Sequence, residues 1–354
     1  MRHPLLASLV LGCSLLLGAT AQAAPRDDFK VCWTIYAGWM PWGEVQAQGI
    51  IDKWARKYGI HIEVVQLNDY VESINQYTTG QFDGCAMTNM DALTIPAAGG
   101  VDSTALIVSD YSNGNDGVVM KGKGKTLADL KGQQVNLVQF SVSHYLLARA
   151  LQSVGLSERD LTTVNTSDAD MVAAFQTADV RNVVTWNPLL AEIKAQPDTT
   201  EVFDSSKIPG EILDMLVVDT ATLKDNPALG KALTGAWFEM LALMQSGDAK
   251  GKAALEAMAK ASGTDLAGFQ AQLDKTRLFA TPAEALAFVR DPALPTTMQR
   301  IAHFSFEHGL LGQGAPSAEA IGIAYPGGKT SGDAGNLKLR FDPTFVQLAA
   351  DGKL

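Results

Sequence analysis

Residues 29–38 read FKVCWTIYAG, an apolar run that ends at Gly38. Such a run is typical of a strand buried on both faces of a parallel sheet. Residues 41–59 then space their apolar side chains as a helix does and stop at Gly59, and residues 60–67 alternate apolar and polar side chains as a strand does. The order strand, helix, strand predicts a right-handed parallel unit.

The alternation of strand and helix occurs a second time along the chain, which predicts two such units. Residues 126–186 repeat the alternation of helix and strand, and residues 109–125, rich in Gly, Asn and Asp, suit a crossover between the two units. From residue 220 onward the pattern is mainly helical. A length of 354 residues also favours two domains. We therefore predict an α/β protein with two lobes, each a parallel-rich sheet flanked by helices.

The amino terminus predicts export. Residues 1–23 contain an early Arg, an apolar run too short for a lasting membrane span, and the small-residue signal AQA at 21–23. These features predict a secretory signal peptide cleaved before Ala24, and hence an exported protein in an oxidising compartment. Cys32 and Cys85 are the cysteines that remain, each near the start of a predicted strand. They form a disulfide if those strands are neighbours; two buried, unpaired cysteines are the alternative.

Composition and motifs favour a binding role over catalysis. The formal net charge is -10 and the pI about 5.0, which argues against nucleic acid or an anionic membrane as a partner. The chain lacks the glycine-rich nucleotide loops, the GxSxG elbow and the HExxH motif, and its five histidines share no metal-ligand spacing. We predict no catalytic residues, no metal and no cofactor.

Ligands of open α/β sheets bind beyond the carboxyl ends of the strands, so the loops at those ends are the candidate site. The six loops span residues 36–45, 87–94, 109–117, 139–145, 185–190 and 208–215. They contain no Lys or Arg, but they hold Trp39, Trp42, Trp186, Glu44, Asp91, Asp110, Asp116, Glu211 and Asp214.

That composition predicts the charge of the ligand. An anion is usually bound by the guanidinium group of an Arg or by a Lys, whereas carboxylates beside aromatic faces suit a small cation or a ligand with several hydrogen-bond donors. Taken singly, each acid has a structural alternative: helix capping, turn formation or an exposed first turn.

Seven segments follow one another along the chain: AGWMPW (37–42), GQFDGCAMTNMDAL (80–93), DYSNGNDG (110–117), TLADLKGQQV (126–135), SVSHYLLARAL (141–151), NTSDADMVAAFQT (165–177) and VVTWNPLL (183–190). Their order resembles ABC-transporter solute-binding proteins of the nitrate/sulfonate/taurine superfamily. More narrowly, it is similar to the branch encoded beside urea carboxylase genes and associated with urea and guanidine. The similarity runs through nearly the whole mature chain.

The resemblance implies two lobes joined by two crossings. Residues 24–112 and 217–354 would form lobe I, and residues 113–216 would form lobe II. The resemblance also implies a periplasmic monomer that traps its ligand by hinge closure and delivers it to an inner-membrane permease. An enzyme or a sensor of the same fold is the alternative class.

Carried over by position, the resemblance implies ligand contacts at strand ends in both lobes, at Trp39, Trp42, Asn89, Asp91, Ser141, Ser143, His144, Trp186 and Asn187. Asp110 and Asp116 belong to the first crossing and serve either ligand or hinge. With Glu44 and Glu211 these complete the predicted ligand-binding set. The predicted ligand is guanidinium, stacked on a Trp and held in-plane by Asp91 and a second acid. Urea is the rival, with Asn89 or Ser141 binding its oxygen.

Overall fold

The computed structural model of the protein describes residues 26–354. The predicted signal peptide, residues 1–23, lies outside the described residues. Within the described range no helix is both long and apolar enough to cross a bilayer.

The described chain alternates strands and helices in its first two thirds and is mainly helical thereafter. The strands are β1 (Asp28–Trp33), β2 (His61–Gln66), β3 (Gly84–Thr88), β4 (Ser103–Ser112), β5 (Asp116–Lys121), β6 (Gln134–Leu137), β7 (Thr162–Asn165), β8 (Asn182–Trp186), β9 (Thr199–Asp204), β10 (Leu213–Asp219), β11 (Thr276–Leu278), β12 (Gly322–Tyr325), β13 (Lys329–Ser331) and β14 (Leu337–Phe341). The helices are α1 (Met40–Ala47), α2 (Ile50–Lys57), α3 (Tyr70–Thr78), α4 (Asn89–Ala92), α5 (Val142–Ser153), α6 (Asp168–Gln176), α7 (Leu189–Lys194), α8 (Thr220–Asp225), α9 (Pro227–Gln245), α10 (Ala249–Ala261), α11 (Leu266–Leu273), α12 (Pro282–Val289), α13 (Ala293–Glu307) and α14 (Thr344–Ala350). Short helical turns occupy Leu93–Ala97, Leu127–Leu130, Glu158–Asp160, Ser205–Lys207, Pro326–Gly328 and Ala334–Asn336.

Two sheets organise these elements, and the prediction of a two-lobed α/β fold is confirmed. A nine-stranded sheet, ordered β13-β12-β14-β4-β10-β3-β1-β2 with β11 on β4, forms the core of the first lobe. A five-stranded sheet, ordered β7-β6-β8-β5-β9, forms the core of the second lobe. Residues 113–115 and 205–212 connect the two sheets.

Both sheets are mixed rather than parallel-rich, because each crossing delivers a strand that runs against its neighbours. β10 is antiparallel to β3 and β4, and β5 is antiparallel to β8 and β9. β10 pairs in the first sheet from Leu213 onward, whereas the predicted second lobe runs to residue 216. The antiparallel strands place their amino ends beside the carboxyl ends of their neighbours, which shapes the site described below.

The two mature cysteines lie on adjacent strands of the first sheet. β1 and β3 are parallel neighbours, and Cys32 pairs in register with Cys85 at a Cα–Cα distance of 4.4 Å. Both residues are buried, and their sulfur atoms form a disulfide. This link joins two strands whose carboxyl ends both point toward the second lobe.

Candidate functional site

A small cavity lies between the two lobes, where strand ends from both sheets meet. It encloses about 250 Å³ of empty space, including the part open to solvent. The cavity is lined by Tyr36, Trp39, Tyr70, Thr88, Asp116, Val142, Trp186, Ile212 and Asp214.

Four aromatic rings form a continuous wall that crosses from one lobe to the other. Trp39 lies between Tyr36 and Tyr70, with ring centroids 5.1 and 5.7 Å away. Tyr70 in turn meets Trp186 of the second lobe edge-to-face at 5.5 Å. All four side chains are buried. The wall therefore offers aromatic faces and edges in a site from which bulk water is largely excluded.

Mixed strand directions bring the carboxylates of the cavity together. Asp214, the second residue of β10, pairs with Thr88 at the end of β3 and with Asp110 near the end of β4. Asp116 opens β5 and pairs with Trp186 at the end of β8. The two lining acids therefore begin antiparallel strands and stand beside residues that end the neighbouring strands.

Asp110 lies behind the lining acids and is held by hydroxyl groups. Its carboxylate accepts hydrogen bonds from Ser109 Oγ at 2.9 Å and Tyr36 Oη at 3.4 Å. A Cβ at Gly38 would lie 2.7 Å from the Tyr36 ring and 2.8 Å from Asp110 Oδ2, so the loop after β1 needs glycine there to approach this acid.

Asp91 also lies behind the cavity wall and ties its aromatic residues to the second lobe. Its Oδ2 accepts hydrogen bonds from Tyr70 Oη at 2.7 Å, Thr88 Oγ1 at 2.8 Å and the Val142 N–H at 3.4 Å. The Val142 contact comes from the first turn of α5, which belongs to the second lobe. Asp91 therefore positions the cavity lining rather than forming its surface.

The four acids are unusually costly to ionise. Burial raises the pKa of Asp91 to about 6 and that of Asp116 to about 7. Burial also raises the pKa of Asp110, and burial together with the neighbouring Asp110 charge raises that of Asp214 well above its ordinary value. Among residues 26–354, no Lys or Arg forms an ion pair with any of the four. A cation in the cavity would supply the missing counter-charge.

The lobes touch directly around the cavity. The Ala37 N–H donates to the Asn187 carbonyl at 3.3 Å, and the Tyr70 N–H donates to Asp168 Oδ1 at 3.3 Å. Together with the Val142 contact to Asp91, these bonds hold the cleft closed over the cavity.

Of the predicted ligand-binding residues, Trp39, Asp116 and Trp186 line the cavity, and Asp91 and Asp110 support it. Three others serve the first lobe or the second crossing. Trp42 stacks on Trp237 in the first lobe at 4.8 Å, and the Glu44 carboxylate accepts a bond from Gln48. Asn89 donates to the Glu211 carbonyl and accepts from the Leu213 N–H.

The remaining predicted residues make contacts within the protein. Ser141 caps α5, Ser143 is buried beside it, and Asn187 bonds Asn115. His144 contacts Glu158, and Glu211 pairs with arginines of α5 and α13. These residues lie at the seam between the lobes but outside the cavity lining.

The predicted ligand-binding set lacks six residues that line the cavity: Tyr36, Tyr70, Thr88, Val142, Ile212 and Asp214. Tyr70 has the clearest signal in the sequence, because it follows the carboxyl end of the predicted strand 60–67, where a ligand-binding loop is expected. Asp214 lies in the candidate loop 208–215 but not in the predicted ligand-binding set; it reaches the cavity because it is near the start of β10, which is antiparallel to β3 and β4.

Two lobes closed over a cavity at their strand ends define the fold of periplasmic binding proteins. The alkanesulfonate-binding protein of Xanthomonas axonopodis pv. citri bound to MOPS superposes with a TM-score of 0.65 at 17% identity, over 82% of this chain and 96% of that one. The aliphatic sulphonate-binding protein of Escherichia coli gives 0.64 at 21% identity, over 82% and 95%. The nitrate-binding protein of Synechocystis PCC 6803 gives 0.56 at 13% identity, over 93% and 99%. Likeness at these identities concerns the fold.

The sequence itself carries the family relationship. Residues 52–239, just over half of the chain, match the NMT1/THI5 like family, and the chain belongs to that family. A provisionally named aliphatic sulfonates-binding protein of Escherichia coli (strain K12) is 44% identical over 64 residues, which are 18% of this chain and 20% of that protein. A provisionally named binding protein of Brucella abortus (strain 2308) is 28% identical over 103 residues, 29% of this chain and 31% of that protein. The matches thus span about a fifth to a third of these relatives.

Proposed function

We propose that this protein is the periplasmic solute-binding component of an ABC importer, and that it captures guanidinium between its lobes for delivery to a permease. The family, the two-lobed fold and the interlobe cavity support the importer role. They also support binding rather than catalysis. The observation that carries the ligand class is the cavity lining, which combines four aromatic side chains with two buried carboxylates.

The charge of this lining favours a cation over an anion. Asp116 and Asp214 face the cavity, Asp91 and Asp110 lie behind them, and no Lys or Arg is among the described residues that line it. A sulfonate or nitrate in this space would meet carboxylates without a compensating cation. A cation against an aromatic face gains up to about 2 kcal/mol when desolvated, and it also relieves the burial of the acids.

The size of the cavity favours a small ligand. Its empty space of about 250 Å³ includes the part that is open to solvent, so the space enclosed between the lobes is smaller still and suits a ligand of only a few non-hydrogen atoms. Guanidinium is flat and carries N–H donors along its edge, so it can stack on Trp39 or Trp186 while its edge donates to Asp116 and Asp214. A planar fork of donors is the geometry that carboxylates bind best.

Urea is the second candidate for the same role. Trp39 Nε1 is buried and has no hydrogen-bond partner within residues 26–354, so it could donate to a urea oxygen. The partners predicted for that oxygen are already engaged: the Asn89 amide holds the second crossing, and Ser141 Oγ donates to the Val138 carbonyl. A neutral ligand would also leave the buried acids without a counter-charge.

Calorimetric titration of the mature protein with guanidinium, urea and taurine in one low-salt buffer at pH 8 tests the proposal. We expect guanidinium to bind at least about a hundredfold more tightly than urea, because only guanidinium forms charged pairs with the acids. Taurine is expected to give no heat of binding. Preferential binding of taurine would contradict the cation site, and preferential binding of urea would contradict the assignment of guanidinium.

Trp39 and Trp42, which follow β1, should respond differently to truncation. Trp39→Ala removes a cavity wall, so guanidinium affinity of the folded protein should fall by about tenfold or more. Because Trp39 is also buried, this variant should lose stability as well. Trp42→Ala empties a fully buried site beside Trp237, so it should cost about 3–5 kcal/mol of stability and leave the affinity of the folded fraction nearly unchanged. Thermal unfolding and calorimetry measure the two quantities separately. Equal losses of affinity in both variants would contradict this division.

A further inference from the structure

Two carboxylates join α5 of the second lobe to α13 of the first. Glu211 is one of them, and it accepts from Arg149 Nε at 2.8 Å and from Arg300 Nη1 at 2.6 Å. Tyr145 Oη also donates to it at 2.6 Å. Because arginine stays protonated at any physiological pH, this bridge keeps its charge throughout that range.

Glu158 forms the second bridge, and its partners are histidines. One oxygen of the Glu158 carboxylate contacts His144 Nε2 on α5, and the other contacts His308 Nε2 directly after α13. His144 is almost fully buried, and the other two are about one fifth exposed. The contact between His308 and Glu158 therefore spans the seam between the lobes.

The hydrogen bonds on the far side of each ring decide where the protons are. The Phe140 N–H donates to His144 Nδ1 at 3.1 Å, so a neutral His144 carries its proton on Nε2, facing Glu158. His308 Nδ1 lies 2.8 Å from the Phe304 carbonyl and must donate to it. A neutral His308 then has a bare Nε2, which cannot donate to Glu158. The bridge is complete only when His308 is an imidazolium.

The same proton positions argue against a metal ion in this cluster. Two histidines and a glutamate at this separation match a common donor set for zinc. A metal would need a lone pair on His144 Nε2, but the Phe140 bond assigns the lone pair to Nδ1 and the proton to Nε2. The geometry fits a proton bridge.

We propose that the His144–Glu158–His308 bridge is a proton-dependent latch that favours the closed arrangement of the lobes. Closing brings His308 against Glu158, and parting the lobes separates them. Closure therefore takes up a proton on His308 at pH values where the open form would have lost it. This inference concerns closure itself and holds for any ligand.

The sign of the effect follows from the pKa of His308. In the closed form the Glu158 carboxylate raises that pKa above its ordinary value. The latch is fully engaged below the ordinary His pKa of about 6.5 and is lost as pH rises through the raised value. Glu158 stays ionised throughout, because hydrogen bonds from the two histidines outweigh its burial and lower its pKa to about 2. The other charged or titratable groups around the cluster are Tyr145, Arg149, Arg159, Glu211, Arg300, His303 and Glu307.

Fluorescence energy transfer between the lobes tests the latch in the ligand-free mature protein. Lys123→Cys on the second lobe and Lys260→Cys on the first provide exposed labelling sites, since the native cysteines are paired. We expect the ratio of closed to open protein to fall about threefold to tenfold more between pH 6 and pH 8.5 in the parent than in His308→Gln. The glutamine can still donate to Glu158 but does not titrate in this range.

Matched variants separate the latch from other effects. His303→Gln changes an exposed histidine of α13 and should keep the parent's pH dependence. Arg300→Gln should lower the ratio of closed to open protein at every pH without changing how steeply that ratio depends on pH. Glu158→Gln, which removes the charge that raises the His308 pKa, should flatten the slope as His308→Gln does. If Glu158→Gln and His308→Gln both kept the parent's pH dependence of closure, the proposal would be overturned. So would a slope that vanishes on addition of EDTA and returns with Zn²⁺, since a metal would then be the bridge.

Discussion

Asp116→Asn is expected to weaken guanidinium binding by at least about a hundredfold while stabilising the ligand-free protein at pH 8. Asp116 is buried, faces the cavity, and has no cationic partner in residues 26–354. Removing one partner of a buried charge pair costs about 2–5 kcal/mol of binding free energy. The same carboxylate ionises at a cost in the empty site, so its removal should raise the free energy of unfolding by on the order of 2–4 kcal/mol at pH 8.

Calorimetry and thermal unfolding measure these two effects. Heat is the appropriate denaturant because urea and guanidinium are both candidate ligands. Glu44→Gln is the matched control: this acid lies on α1, bonds Gln48, and is outside the cavity lining, so its variant should bind and unfold as the parent does. An Asp116→Asn variant that is less stable but binds normally would show that the carboxylate serves the hinge instead of the ligand.

Guanidinium affinity is expected to rise about a hundredfold between pH 5 and pH 8. The pKa of Asp116 is about 7 in the empty site, so only about one molecule in a hundred is ionised there at pH 5. Bound guanidinium favours the ionised form, so binding below pH 7 releases protons. Asp91, whose pKa is about 6, adds to the effect at the acidic end.

Titrations in buffers of different ionisation enthalpy count the released protons directly. The latch at His308 favours closure at low pH and so opposes this rise in affinity. The increase of guanidinium affinity with pH should therefore be steeper in His308→Gln than in the parent. The ligand-free protein should lose stability as pH rises from about 4 to 7, because the folded state holds protons on these acids that the unfolded state has already released. Affinity that stays level across this range would mean that the ligand carries no charge.

Much of the fold could be predicted from local pattern. The run at residues 29–38 indicates a buried strand, and the structure has β1 at Asp28–Trp33 within a two-lobed α/β fold. The direction of each strand could not be predicted from local pattern. β5 and β10 look like their parallel neighbours in sequence, and they run antiparallel only because each follows a crossing between the lobes.

The residue types of the site could be predicted from the sequence, but their arrangement in space could not. Loops rich in Trp and acid, with no Lys or Arg, already indicated a cationic guest. Which of those residues reach the cavity depends on the path of each loop. Trp39 and Trp42 are only three residues apart, yet Trp39 lines the cavity and Trp42 packs against Trp237.

By itself the sequence determined the chain's charge, its two rounds of strand and helix, and the acidic, aromatic character of its binding loops, because these follow from residue type and local spacing. Only the tertiary structure decided which acids share the cavity, since Asp116 and Asp214 come together through antiparallel pairing across two crossings. It likewise decided that Glu211 and His144 serve the seam between the lobes. Their partners, Arg300 and Glu158, lie 89 and 14 residues away along the chain, and no local pattern encodes such a pairing.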